Sequence, residues 1–168
     1  MKLNIVLVEP EIPQNTGNIA RTCAIIGAKL HLVYPLGFTI SEKYLKRAGL
    51  DYWDKLEIEE HSSLSEFLKK YSPENQNMYF VTTKGKHMYT EPDYKNYDEV
   101  FLLFGKETRG LPEDLLKKYL DKSIRIPMRK TLRSLNLANS VAIVAYEAER
   151  QNGFENLQEI SDYFEWKL

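Results

Sequence analysis

The stretch SLNLANSVAIVAY, residues 134–146, carries small neutral polar side chains at helical spacing and no charged residue. In a helix, Asn136, Asn139 and Ser140 stand at i, i+3 and i+4 and therefore share one face. A solvated face ordinarily carries Lys and Glu. An uncharged polar face instead indicates burial, where an amide or hydroxyl without a hydrogen-bond partner costs about 1 to 3 kcal/mol. We therefore expect this face to meet a ligand, a partner helix or buried water.

The segment EPEIPQNTGNIAR, residues 9–21, contains a loop stiffened by two prolines. The polar run NTGN, residues 15–18, then opens a predicted helix whose first basic residue is Arg21. Free backbone N–H groups at a helix start, with a cation one turn in, can hold an anion. A capped helix with Arg21 in a surface ion pair explains the same residues, so the motif alone leaves both interpretations open.

In the segment FGKETRGLP, residues 104–112, Gly105 and Gly110 are spaced like the glycines of a phosphate-binding loop. The second glycine is followed by Leu and Pro where that motif needs Lys and Ser or Thr, which excludes a nucleoside-triphosphatase loop. A glycine turn that lets the backbone approach a ligand remains, with Glu107 and Arg109 as a positioned pair. Taken alone, the motif slightly favours a simple strand-to-helix turn in which the glycines only satisfy a positive φ.

Two segments combine cations with other functional groups. In RIPMRKTLRS, Pro127 ends a predicted strand, a basic loop follows, and Ser134 stands where a helix N-cap belongs. In EKYLKRAGLDYW, residues 42–53, basic groups alternate with aromatic rings, a combination that can follow a phosphate backbone and stack bases. A solvated amphipathic helix with aromatic residues in the core accounts for this second segment at least as well.

The elements that must position these groups follow from apolar runs rich in branched residues that alternate with amphipathic segments. This pattern predicts an α/β domain with a mostly parallel sheet and helices on both faces. We expect strands at 3–9, 29–35, 56–60, 78–84, 99–105 and 123–128. We expect helices at 16–26 with Gly27 as C-cap, 41–48 with Ser41 as N-cap, 63–71, 112–120 with Pro112 in the first turn, and 134–151. The loops after the first, fifth and sixth strands hold the polar motifs, and open α/β sheets bind ligands at the carboxyl ends of their strands.

Composition bounds the remaining possibilities. The 168 residues suit a single domain over 1–168, and 43% hydrophobic with 28% charged residues is typical of a soluble globular protein. No apolar run approaches the roughly 20 residues that cross a bilayer, and the start lacks a signal-peptide pattern, so we expect a cytoplasmic protein without a membrane segment. One Cys and three histidines far apart in sequence predict neither a disulfide nor a metal site. With a net charge of −1, any nucleic-acid surface must be a local basic strip.

Taken together, the segments resemble the SPOUT superfamily of RNA methyltransferases. The matching stretches are PQNTGNIAR with RTCAIIG, RAGLDYW, TTKG, FGKETRGLP and IPMRKTLRSLNLANSVAIVAYE. Within the superfamily the chain is similar to the small stand-alone tRNA (cytidine/uridine) 2′-O-methyltransferases that act at the anticodon wobble position. The resemblance covers nearly the whole chain, and its specificity comes from the order of the motifs.

The resemblance implies a SPOUT fold, in which the C-terminal third forms a deep trefoil knot that binds S-adenosylmethionine. It implies a homodimer through the knot helices, tRNA as the substrate and no metal. By motif, the methyl-donor site falls on Val81, Gly105, Ile126, Met128, Ser134 and Leu135.

The resemblance also implies a catalytic set in which Arg21 is central and Asn15, Glu107 and Asn136 assist. Arg21 is assigned as a general base, but a guanidinium pKa above about 12 makes neutral arginine scarce at pH 7, so orienting a phosphate is the alternative role. The RNA surface is expected on the basic side chains of the two cationic segments, namely Lys43, Lys46, Arg47, Arg129, Lys130 and Arg133.

Three alternatives are kept. A ribosomal RNA target agrees with the same residues. A non-catalytic RNA-binding or assembly protein on this scaffold would not need Arg21, Asn15, Glu107 and Asn136. A generic α/β nucleotide-binding enzyme would be expected to carry a phosphate loop or GxGxxG, and the chain has neither.

Overall fold

The structure is a computed structural model, and it describes residues 1–39 and 56–161. Within these ranges the strands are β1 Lys2–Val8, β2 Lys29–Val33, β3 Ile58–His61, β4 Asn77–Val81, β5 His87–Met88, β6 Glu99–Phe104 and β7 Ser123–Arg125. The helices are α1 Pro13–Ile26, α2 Leu64–Lys70, α3 Glu113–Lys118 and α4 Leu137–Gln151, with a 3₁₀ turn at Leu120–Lys122.

The seven strands form one sheet in the order β3-β2-β1-β6-β4-β7-β5, and every neighbouring pair is parallel. The chain runs outward from β1 through β2 to β3, then returns to build the other half of the sheet from β4. The order therefore reverses between β1 and β6, whose register pairs Leu7 with Phe104. Loops that leave two parallel neighbours at such a switch point diverge and leave a crevice for a ligand.

Side chains of β1 alternate between two cores, one on each face of the sheet. Leu3, Ile5 and Leu7 belong to a core that includes side chains of α1 and α4. Val6 and Val8 belong to a second core, which includes Phe67 of α2 and Leu116 of α3. Because both faces of the sheet are covered, the sequences of the central strands are nearly continuous runs of apolar residues. The predicted α/β class with a parallel sheet and helices on both faces is confirmed.

The strand β5 is the element that the sequence analysis missed. It contains two residues, His87 and Met88, which pair with Ile124 and Arg125 of β7. Two residues within the polar run TTKGKHMYTEP carry too little pattern to distinguish a strand from a loop. The predicted helix 41–48 and its Ser41 cap lie outside the described residues.

Four predicted helix starts are wrong by one to three residues, including that of α2, which begins at Leu64 rather than residue 63. Helix α1 begins at Pro13 rather than residue 16, because proline suits a first-turn position where its missing N–H is not needed. Helix α4 begins at Leu137 rather than residue 134, and its N-cap is Asn136 instead of Ser134. Pro112 is the N-cap residue of α3 and precedes its first turn.

The predicted ends of α1 at residue 26 and of α4 at residue 151 are confirmed. Gly27 closes α1 with a φ of 69°, and its N–H donates to the carbonyl of Cys23.

In the described part of the chain, no helix is both long and apolar enough to cross a membrane.

Candidate active site

Glu107, in the turn after β6, holds the loop after β1 by three hydrogen bonds. Its carboxylate accepts the backbone N–H of Glu11 at 2.9 Å and of Ile12 at 3.2 Å, and the side-chain amide of Asn15 at 2.9 Å. Each bond to an ionised acceptor is stronger than a bond between neutral groups. One half-buried side chain thus fixes where the β1 loop ends and helix α1 begins.

Asn15 and Asn136 extend this contact to the start of α4. The side-chain NH₂ of Asn15 donates to the Glu107 carboxylate, which can only accept hydrogen bonds. The Oδ1 of Asn15 is therefore turned toward Asn136 and accepts a hydrogen bond from its Nδ2 at 2.9 Å. Asn136 then directs its own Oδ1 to the N–H groups of Ala138 and Asn139 at the start of α4. A continuous chain of hydrogen bonds, which we call the amide relay, therefore joins Glu107, Asn15, Asn136 and the N-terminus of α4.

A reciprocal contact ties the same two loops a second time. The Thr108 N–H and hydroxyl donate to the Glu11 carboxylate at 3.0 and 2.9 Å. These bonds hold the pKa of Glu11 below its ordinary value. Lys106, one residue before Glu107, forms an ion pair with Glu9. The sequence does not predict these contacts, since charged and hydroxyl residues in two separate loops give no pairing signal.

The two glycines of FGKETRGLP shape the turn itself. The N–H of Gly110 donates to the carbonyl of Lys106 at 2.8 Å, and Gly110 adopts a φ of 68°. Gly105 is buried, and a Cβ there would overlap the backbone of Gly110 and Leu111. Glycine is therefore required at residue 105 for lack of space, and it is favoured at residue 110 by the positive φ.

The relay borders a cavity of about 530 Å³. Its wall comes from the turn after β6, the residues after β4 and the chain between β7 and α4. Three strand ends therefore converge on one space, as expected at a switch point. Among the lining residues are all six predicted donor-site positions, Val81, Gly105, Ile126, Met128, Ser134 and Leu135. Asn15, Glu107 and Asn136 also line it.

Arg21 does not line this cavity within the described chain. It is exposed on α1, on the same face as the exposed residues Gln14, Asn18 and Ile25. It lies six positions after Asn15, or about 9 Å along a helix axis. The fourth predicted catalytic residue thus stands apart from the other three in a single chain.

The predicted RNA-binding residues are divided as well. Arg133 lines the cavity, whereas Arg129 and Lys130 are exposed outside its wall. Lys43, Lys46 and Arg47 lie outside the described residues.

The uncharged face of α4 is not buried in one chain, contrary to expectation. Asn139 is exposed and Ser140 is partly exposed. The Ser140 hydroxyl donates to the carbonyl of Asn136 at 3.1 Å. Asn136 reaches its partners as the residue before the helix, which the helical spacing did not predict.

A separate polar cluster lies beneath α2. Pairing of β2 with β3 brings His31 Nδ1 to within 3.1 Å of His61 Nε2, although the residues are 30 apart in sequence. The His31 Nε2 faces Asn4 Oδ1 at 3.0 Å, and burial lowers the pKa of His31 to about 3. One ligand atom each from His31, His61 and Glu59 lie within 4.8 Å of one another, so their distance in sequence does not keep these groups apart in the fold. The Glu59 carboxylate is, however, already paired with the ammonium groups of Lys29 and Lys70.

Residues 2–146 match the family model described as the SpoU rRNA Methylase family. A Listeria monocytogenes protein, provisionally named a tRNA (cytidine(34)-2′-O)-methyltransferase, is 49% identical over 164 residues, which is 97% of this chain and 96% of that protein. A solved structure that concerns the 2-OH methylation of C/U34 on tRNA is 44% identical with a TM-score of 0.83, covering 91% of this chain and 97% of the other. An AdoMet-bound rRNA methyltransferase from Sinorhizobium meliloti is 28% identical with a TM-score of 0.78, over 89% of this chain and 56% of that one.

Proposed function

Because the chain belongs to the SpoU rRNA methylase family, we propose that it transfers a methyl group from S-adenosylmethionine to the ribose 2′-hydroxyl of the wobble nucleotide, C or U at position 34, of tRNA. The names of relatives that match nearly end to end support this substrate over ribosomal RNA. One observation of the chain itself carries the proposal: three strand ends form a single cavity with the amide relay along its edge.

The residues of the cavity fit a nucleoside-containing donor. Val81, Ile126 and Leu135 offer apolar surface for an adenine ring, while the turn at Gly105 offers backbone groups at close range. When bound, S-adenosylmethionine supplies a methyl group on a positively charged sulfur. The relationship of a solved AdoMet-bound structure supports this choice of donor. We also infer that the chain between β7 and α4 forms the family's trefoil knot, and that no metal takes part.

Catalysis in this proposal comes mainly from positioning. The amide relay fixes the β1 loop, the β6 turn and the start of α4 relative to one another, so an RNA sugar placed there meets a rigid edge. The guanidinium of an arginine cannot be deprotonated in a protein, so Arg21 cannot accept a proton. Its role is therefore to hold the phosphate beside the target ribose rather than to accept the hydroxyl proton.

The proposal includes a homodimer through α1 and α4. These helices contact each other, and they carry the exposed apolar side chains Ile25, Ile143 and Tyr146. Exposed large apolar groups on adjacent helices are typical of a protein interface. Arg21 lies one turn before Ile25 on α1, so a second subunit on this face would bring it beside a partner.

Labelled S-adenosylmethionine and tRNA lacking its modifications provide the test. After incubation and nuclease digestion, we expect label on the ribose of nucleotide 34. A matched tRNA with 2′-deoxyribose at that nucleotide is the control and is expected to take no label. Label in ribosomal RNA only would contradict the proposed substrate. Donor binding without transfer to any RNA would favour a non-catalytic RNA-binding protein, and no donor binding would favour a generic nucleotide-binding enzyme.

A further inference from the structure

The four residues between the glycines of the β6 turn are not equally anchored. Lys106 pairs with Glu9, Glu107 holds the β1 loop and Thr108 holds Glu11. Arg109 is the exception, because within residues 1–39 and 56–161 it makes no hydrogen bond or ion pair. Its guanidinium acts on the Glu11 carboxylate only through its charge, which helps to lower the pKa of Glu11. The other three residues therefore anchor the turn, while the Arg109 side chain is exposed.

Arg109 also stands between two cavities. It lines the 530 Å³ cavity described above and a second cavity of about 490 Å³. Both cavities are also lined by Lys106, Gly110 and Leu111 of the same turn. Both volumes fall in the range of about 300 to 1,000 Å³ that is usual for small-molecule sites.

Two cations and two carboxylates line the second cavity, namely Lys106, Arg109, Glu9 and Glu113. Lys106 pairs with Glu9, and Glu113 pairs with Lys84. Val8 and Leu111 supply apolar surface. Among the described residues, Arg109 is therefore the lining cation that no carboxylate pairs with directly, so a phosphate in this cavity is favoured at Arg109.

We propose that Arg109 binds the phosphodiester joining the target nucleotide to its neighbour, and that the second cavity receives the neighbouring nucleoside. This inference rests on the proposed function, since it places the RNA strand across the β6 turn. The strand would then run from the first cavity, over Arg109, into the second. For a chain whose net charge is −1, an unpaired guanidinium at this place is a substantial part of the local attraction for RNA.

The test uses the full-length protein and a synthetic anticodon stem-loop RNA with position 34 unmodified. Two further RNAs each carry one neutral methylphosphonate linkage, on the 5′ or the 3′ side of that nucleotide. The variants are Arg109→Gln, Arg109→Lys and, as a matched loss of one positive charge, Lys69→Gln. Lys69 is an exposed residue of α2 and lines neither cavity.

We expect Arg109→Gln to raise the KM for the unmodified RNA roughly tenfold without changing the KM for S-adenosylmethionine, because one charge-assisted contact to phosphate is lost. Arg109→Lys keeps the charge but not the bidentate geometry, so it should recover part of the loss. With one of the two methylphosphonate RNAs, Arg109→Gln should have an effect of less than about twofold, since both changes remove the same contact. Lys69→Gln should leave these constants unchanged.

An Arg109→Gln effect that is equally large on all three RNAs would overturn the inference. A raised KM for S-adenosylmethionine alone would do so too, because it would place Arg109 on the donor. Fluorescence anisotropy with the same RNAs does not depend on turnover. There, the slope of log affinity against log salt should become shallower by about 0.7 in Arg109→Gln. If the wild type transfers no methyl group, the proposed function fails, and this slope alone decides the inference.

Discussion

The side-chain amide of Asn136 donates to Oδ1 of Asn15 at 2.9 Å, joining two residues that are 121 positions apart. The oxygen of the same amide caps helix α4. Asn136 therefore both caps α4 and positions the edge of the cavity through Asn15. Its contribution to stability and its contribution to the site must be separated by experiment.

Asn136→Ala removes both the cap and the contact to Asn15, whereas Asn136→Ser keeps a side-chain oxygen that can cap. We expect the alanine variant to lose about 1 kcal/mol of unfolding free energy and the serine variant much less. Both should lose more than roughly tenfold in kcat/KM for tRNA, because each lacks the amide that reaches Asn15. Urea unfolding and methyl-transfer assays measure the two effects.

The matched control for this pair is Asn139→Ala, which changes an exposed asparagine one turn further along α4. It should change neither quantity appreciably. Full activity in Asn136→Ser would show that Asn136 acts only as a cap.

The two glycines of the β6 turn should respond differently to alanine. Gly105→Ala places a Cβ against the backbone of Gly110 and Leu111, which cannot move aside cheaply, so we expect a loss of more than about 2 kcal/mol and weakened binding of S-adenosylmethionine. Gly110→Ala meets no atom within 4 Å but keeps a φ of 68°, so it should cost only about 1 kcal/mol. Thermal unfolding with calorimetry of donor binding compares them, and equal losses would contradict the close approach at Gly105.

Arg21→Lys tests the role of the cation on α1. Lysine keeps the positive charge but loses the planar fork that binds phosphate in two places. We expect kcat to fall by at least roughly tenfold while donor binding is unchanged, since Arg21 lies outside the cavity wall. Turnover with saturating tRNA is the measurement. Unchanged turnover would remove Arg21 from the mechanism.

The buried histidine pair predicts a pH dependence of stability. In the unfolded chain His31 has an ordinary pKa of 6.5, but burial in the folded protein lowers this pKa to about 3. As pH falls from 6.5 toward 3, the unfolded state takes up a proton that the folded state does not, so stability decreases in this window. Burial lowers the pKa of His61 as well, which acts in the same direction.

For His31 the slope should approach about 1.4 kcal/mol per pH unit well below pH 6.5, and His61 should add to it in the same direction. Urea unfolding at several values between pH 7 and pH 5 measures it, in a range where most carboxylates stay ionised. His31→Asn should be less stable at pH 7 but have a shallower slope. His87→Asn, which changes a histidine outside this cluster, is the control. A slope that His31→Asn leaves unaltered would contradict a buried neutral His31.

The sequence predicted the α/β class because alternation and apolar runs reflect local energetics. Strand and helix types were correct where a run was long, as in EVFLLF of β6, and Gly27 was recognisable as a C-cap from its residue type. The sequence did not predict β5, nor that Asn136 rather than Ser134 caps α4. Adjacent polar residues have similar local energies as the cap or the end of an element. Only the packing of the whole element selects among them.

By itself, the sequence determined which residues are available for chemistry: a carboxylate between two glycines, two asparagines at helix starts and a cation on α1. Only the tertiary structure decided which of them meet. The reversal of strand order between β1 and β6 puts Glu107 against the backbone of Glu11, and α4 then brings Asn136 to Asn15. These contacts join residues 92 to 121 positions apart. Their energy depends on the order of strands in the sheet, which no local pattern of side chains records.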